Sequence, residues 1–152
     1  MFKDIDIKGI KTRELVAFSF TAGVVGALAV LLFGFILNRV GIATMMGAKA
    51  PMKLTVPEIY RPLFWGGLWG IPFGLILKKV SRRFYLAGWL YFLAPLFALY
   101  LVFAPMNGMG LFALGMGVPF MFYLLLLNLP YGITTALVDR WVVDSHLVEK
   151  HA

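Results

Sequence analysis

Residues 15–37 read LVAFSFTAGVVGALAVLLFGFIL, an unbroken run without one charged side chain, closed by Asn38 and Arg39. Coiled as an α-helix at about 1.5 Å per residue, such a run reaches about 35 Å, enough to cross the ~30 Å hydrocarbon core of a bilayer. Lys3, Lys8, Lys11 and Arg13 precede it and an A-x-A triplet, Ala48, Lys49 and Ala50, follows it, as in a secretory signal. A signal's hydrophobic region runs only about 7–15 residues, however, so the stretch reads as a first transmembrane helix.

Three more runs follow. Residues 62–77 lie between Arg61 and the Lys78, Lys79 pair. As a helix this run reaches only about 24 Å, so its flanking cations must snorkel or the bilayer must thin. Residues 84–104 form a third run rich in aromatics, and residues 111–138 a fourth that exceeds what a crossing needs and should tilt, kink or project. The expected fold is therefore all-α, a single domain over residues 1–152 built as an integral membrane bundle of four transmembrane helices.

Composition agrees. Hydrophobic residues make up 61% of the chain and charged ones 14%, against roughly 25% charged in a soluble domain. No Asp or Glu occurs between Glu58 and Asp139, and no Lys or Arg between Arg83 and Arg140. The absence of cysteine excludes disulfides, thiolate metal sites and a cysteine nucleophile. The net charge of +7 resides in short clusters beside the apolar runs, above all Lys78, Lys79, Arg82 and Arg83. That placement suits anionic lipid headgroups, at about 1 kcal/mol per cation, and no nucleic-acid partner is expected. Ten Lys and Arg fall on the side of the termini and four on the other, which puts both termini in the cytoplasm by the positive-inside rule.

The connections differ in kind. Residues 40–60 hold the breakers Gly41, Gly47, Pro51 and Pro57 but also Met45, Met46, Met52, Leu54 and Val56. They should lie on the membrane surface or pack over the bundle. Residues 105–110, PMNGMG, read as a tight turn.

Within the second run, Gly66, Gly70 and Gly74 recur every four residues with Gly67 beside them, on one helical arc. Ser19, Gly23, Gly26, Ala27 and Gly34 form a matching strip on the first. Small-residue strips let helix backbones approach closely in lipid, so these glycines should pack the first two helices together, or else present a face to a ligand or a partner's helix. Trp65, Trp69 and Tyr60, like Tyr85, Trp89 and Tyr91, suit an interfacial aromatic belt better than a cofactor box. Glu58 and Arg61, three residues apart, are placed to pair at a helix entrance.

In the fourth run Pro119 would free the carbonyl of Gly115, and Pro130 that of Leu126. Asn128, with Thr134 and Thr135 a turn beyond Pro130, is a possible polar pathway, since broken helices with nearby amides line some transporter sites. No ionisable residue falls inside the four runs so bounded, and pumps, ion-coupled transporters and voltage sensors need one. Asp139, Asp144 and His146 read as one solvated helix face past the membrane rather than a metal cluster, and His146 and His151 lie in the tail. No catalytic, cofactor or metal site is expected.

Tyr60, Arg61, Trp65, Gly66, Gly67, Leu68, Trp69 and Gly70 resemble a segment of a group of small bacterial inner-membrane proteins of unknown function. Those proteins have four hydrophobic segments and a tyrosine–arginine pair before a WGG-x-WG helix. The resemblance covers the middle third of the chain and implies a multi-pass protein of the bacterial inner membrane, with no activity attached.

Two roles fit these readings. The glycine faces, abundant aromatics and missing reactive groups suit a non-catalytic accessory or scaffolding subunit of a larger membrane complex. The alternative is a small oligomeric transporter or channel for a neutral or lipophilic molecule, routed past the Gly66–Gly74 face, Asn128 and the Pro130 break. A lipid-modifying enzyme lacks a nucleophile–base pair. Expected partners are membrane lipids and either other membrane subunits or further copies of the chain.

Overall fold

A computed structural model describes residues 10–49, 55–77 and 84–151, the last five as backbone. It is helical throughout, with no strand among the described residues. Helix α1, Thr12–Arg39, covers the first apolar run and adds a turn before it. There the Glu14 carboxylate accepts the backbone N–H of Lys11 at 3.2 Å, and acid at the start with Arg39 at the end suits the helix dipole. Gly41, at φ +82°, then turns the chain into the short helix α2, Ile42–Met45. Helix α3 is Val56–Leu77, with Pro62 and Pro72 inside it.

The third apolar run is a chain of short pieces. Helix α4 is Phe84–Tyr91 and α5 is Leu93–Ala98, followed by a π-helical turn, Leu99–Phe103, and by α6, Ala104–Met106. Pro95 has no N–H to offer the carbonyl of Tyr91, which breaks the regular ladder where the pieces divide. The backbone stays in the right-handed helical region through Phe92, Ala98 and Phe103, so the pieces continue one another.

The fourth run is bounded differently from the expectation of residues 111–138. Residues Leu111–Met116 form a 3-10 turn in which Phe112 and Ala113 have φ of 54° and 58°, and Gly117 follows at φ 100°. Helix α7 begins only after this left-handed stretch, as Val118–His151. Pro119 therefore stands in a first helical turn, where the missing N–H has no partner to lose, and breaks nothing. At the other end α7 continues well beyond residue 138.

Three helical stretches are long and apolar enough to cross a membrane: Thr12–Arg39, Tyr85–Met106 and Val118–His146. Helix α3 has the length, about 33 Å, but is not among them; Glu58, Arg61, Pro62 and Pro72 lie within it.

Neighbouring stretches run antiparallel. Ser19 lies against Gly74 and Ala27 against Gly66, which orients α3 opposite to α1. Glu14 lies against His146 and Gly26 against Thr135, which orients α7 likewise. Gly88 meets Ala136, and Tyr100 bonds the carbonyl of Met121, so α4 and its continuation oppose α7. The result is an up-down-up-down arrangement. Its main core gathers Leu15, Phe73, Tyr91, Phe92, Leu96 and Tyr131. A second cluster of Leu37, Ala43, Ala104, Ala113, Phe120 and Tyr123 closes one end. The described part of the 40–60 connection belongs to that cap: Ala43 is fully buried, and Met46 and Ala48 pack beside it. Around the outside, Leu32, Ile36, Phe97, Val102 and Leu137 are about half exposed.

Candidate functional site: a polar helix face and an apolar pocket

Asn128, Tyr131, Thr135 and Asp139 are spaced three, four and four apart along α7, the period that stacks side chains on one face of a helix. The Asn128 amide donates to the carbonyl of Leu124 at 2.8 Å, within its own helix. The hydroxyl of Tyr131 donates to the carbonyl of Gly66 in α3 at 2.6 Å. Thr135 is fully buried against Gly26, where any added Cβ would overlap its hydroxyl. Asp139 is fully buried as well. Its two carboxylate oxygens lie 3.1 and 3.0 Å from the hydroxyl of Ser19, which donates to them.

Asp139 thus does not sit on a solvated tail with Asp144 and His146. It lies within an apolar stretch long enough to cross a membrane, so the bundle does hold an ionisable side chain in its interior. The other two behave differently. Asp144 is half exposed and pairs with Arg140 at 3.5 Å, and Arg140 also donates to the hydroxyl of Tyr85 at 2.8 Å. His146 packs edge-on against Phe18, with its Nε2 3.6 Å from the Glu14 carboxylate.

Glycine makes the room for Ser19. A Cβ on Gly74 would overlap the serine hydroxyl, one on Gly23 the carbonyl oxygen of Gly66, and one on Gly70 the carbonyl oxygen of Ser19. Gly66 lies against Ala27, and Gly67 against Phe20 and Val24. The two glycine strips therefore meet each other, with Gly23 and Gly34 buried in α1 and Gly26 turned to α7. A second close crossing, Gly88 of α4 on Gly132 of α7, was not expected; each stands alone in its own sequence segment, without the four-residue repeat that marks the first strip. Lys78, Lys79, Arg82 and Arg83 lie outside the described residues. Thr134 is half-buried beside the polar face.

Above this seam opens a pocket of about 710 Å³ between α1, α3, the Pro95–Phe103 pieces and α7. Ala27, Val30, Phe64, Trp65, Trp69, Leu99 and Phe103 make its walls apolar, and Gly66 contributes bare backbone. Trp65 stands edge-on to Phe103 at 5.4 Å, and the hydroxyl of Tyr91 holds the carbonyl of Trp69 from behind. The polar side chains on the wall are Tyr60, Arg61, Asn128 and Tyr131. Arg61 does not pair with Glu58. The Glu58 carboxylate instead accepts from the Thr55 hydroxyl at 2.9 Å and from its N–H at 3.4 Å, closing the start of α3. Among the described residues no carboxylate lies within ion-pair distance of Arg61, which stands exposed at the rim.

The pocket can hold an apolar body and place one negative charge at its edge, and the Arg fork is the donor best shaped for a carboxylate or phosphate. Ser19 and Asp139 form a hydroxyl–carboxyl couple, but both are sealed from any substrate. Comparison of the chain with protein-family models, curated proteins and solved structures finds no match.

Proposed function

We propose that this chain is a four-helix protein of the bacterial inner membrane that binds, and carries, an acidic amphiphile: one long apolar body with one anionic head. In this reading α3 is the fourth crossing, its polar first turns standing at the headgroup level opposite the cytoplasmic termini. The observation that carries the reading is an aromatic, apolar pocket with an exposed arginine on its rim that no described carboxylate pairs. Its volume falls within the ~300–1,000 Å³ of small-molecule sites. Arg61 stands one turn into α3, where a ligand lying among lipid chains would bring its head to the water boundary. This keeps the transporter class suggested by the Gly66–Gly74 face, Asn128 and the Pro130 break, but gives the ligand, expected there to be neutral or lipophilic, an anionic head.

Reconstituted protein titrated with oleate and with oleyl alcohol tests it. Oleate should bind the more tightly, and Arg61→Gln should weaken oleate about tenfold, a loss of about 1.4 kcal/mol, while leaving the alcohol unchanged. Equal affinity for the two ligands, or an unaltered oleate affinity in the variant, would refute the assignment. The glycine faces that, with the abundant aromatics and missing reactive groups, suggested an accessory subunit lie against each other here.

A further inference from the structure

Asp139 has no part in the pocket, yet its setting is unusual for a carboxylate. It has no exposed surface, and among the described residues its one hydrogen-bonding partner is a single hydroxyl. An ionised carboxylate accepts at both oxygens, about four lone-pair sites in all, and a lone serine donates one proton. Leaving the remainder buried and unmet is costly.

Among the described residues no cation makes up the difference. On α1 the charged groups nearest this end are Arg13, exposed, and Glu14, which faces His146. On α7, Arg140 is turned to Tyr85 and Asp144. The described residues of α3 at this level and those of α4 carry no charge. A carboxyl that carries a proton, by contrast, is matched by Ser19, each O–H finding an oxygen. Ionisable groups turned inward in membrane helices are the parts from which proton relays are made.

We infer that Asp139 is a proton-binding site, and that its occupancy is linked to the pocket. The link is the polar face itself. Thr135 stands one turn from Asp139, and Tyr131, a turn further, holds the Gly66 carbonyl in the pocket wall. Two turns beyond Asp139, toward the end of α7, Glu14 and His146 face each other. An anion held at Arg61 and a proton held at Asp139 would enter the bundle as a neutral sum. The second half of this inference rests on the pocket reading; the first does not.

Infrared spectra of the reconstituted protein, taken as pH is varied, test the first half. The carbonyl stretch of a protonated carboxyl should appear and vanish reversibly, be absent in Asp139→Asn and shift in Ser19→Ala. A titrating band that survives Asp139→Asn unchanged, or the lack of any such band, overturns the site. Proton uptake measured in weakly buffered vesicles tests the second half. Oleate should draw in about one proton per chain with the native protein and none with Asp139→Asn. Oleate binding without proton uptake overturns the link, whereas failure of oleate to bind at all overturns the pocket reading and leaves the infrared result to judge the site.

Discussion

Ser19 is an ordinary residue by sequence, one hydroxyl in an apolar run, and its importance comes from what lies opposite. It supplies the hydrogen bond to a fully buried carboxyl, and Gly74 leaves the space in which it does so. Removing one member of a buried pair strands the other, at a cost of about 1–3 kcal/mol. Ser19→Ala should therefore lower stability by that amount in a denaturing-detergent titration followed by helicity. Asp139→Asn keeps the shape and removes only the need for a proton, so it should fall within about 1 kcal/mol of the native protein in the same titration. The reverse order would mean that the pair is not as described. Asp139 was legible in the sequence as a member of a 3-4-4 series after Asn128, Tyr131 and Thr135. Bounding the fourth run at its first charged residue concealed it, because a span can accommodate an acid when a neighbouring helix covers it.

Among the elements, the α1–α3 seam is the one most nearly written in the sequence. Small residues every four positions on both helices allow backbones to touch, and here carbonyl oxygens of Ser19 and Gly66 occupy the places where side chains would stand. Gly70→Ala should force the helices apart at a cost of about 1–3 kcal/mol or more, the usual penalty of overpacking. Gly108→Ala makes the comparison. Its φ of +73° disfavours a side chain, but nothing stands near it, so the loss should be limited to about 1 kcal/mol of backbone strain. Equal effects in thermal unfolding would show that the seam is loose. Where element boundaries were misjudged, local backbone chemistry was the cause. Hydropathy alone merges residues 111–117 with α7, although the glycines at 110 and 117 and two left-handed residues between them turn the chain before Val118.

At the scale of the molecule, composition sets the class and side-chain contacts set the arrangement. An outer surface of Leu32, Ile36, Val102 and Leu137 beside an interior holding Ser19, Thr135 and Asp139 inverts what water would select, and an apolar exterior this extensive has no place on a soluble monomer. The pocket was not legible in the same way. It requires α1, the pieces around Pro95, and α7 to stand around one side of α3, and no local pattern encodes where four separate segments leave a gap. The chain's lack of cysteine makes the decisive measurement simple: single cysteines at Thr44, Leu32 and Asp144, labelled in intact vesicles with a membrane-impermeant maleimide added from either side. All three positions are exposed. Thr44 and Asp144 should react from opposite sides and Leu32 from neither, since lipid and not water covers it. Reaction at Leu32 as complete as at Thr44, or labelling of Thr44 and Asp144 from the same side, would contradict the membrane bundle described.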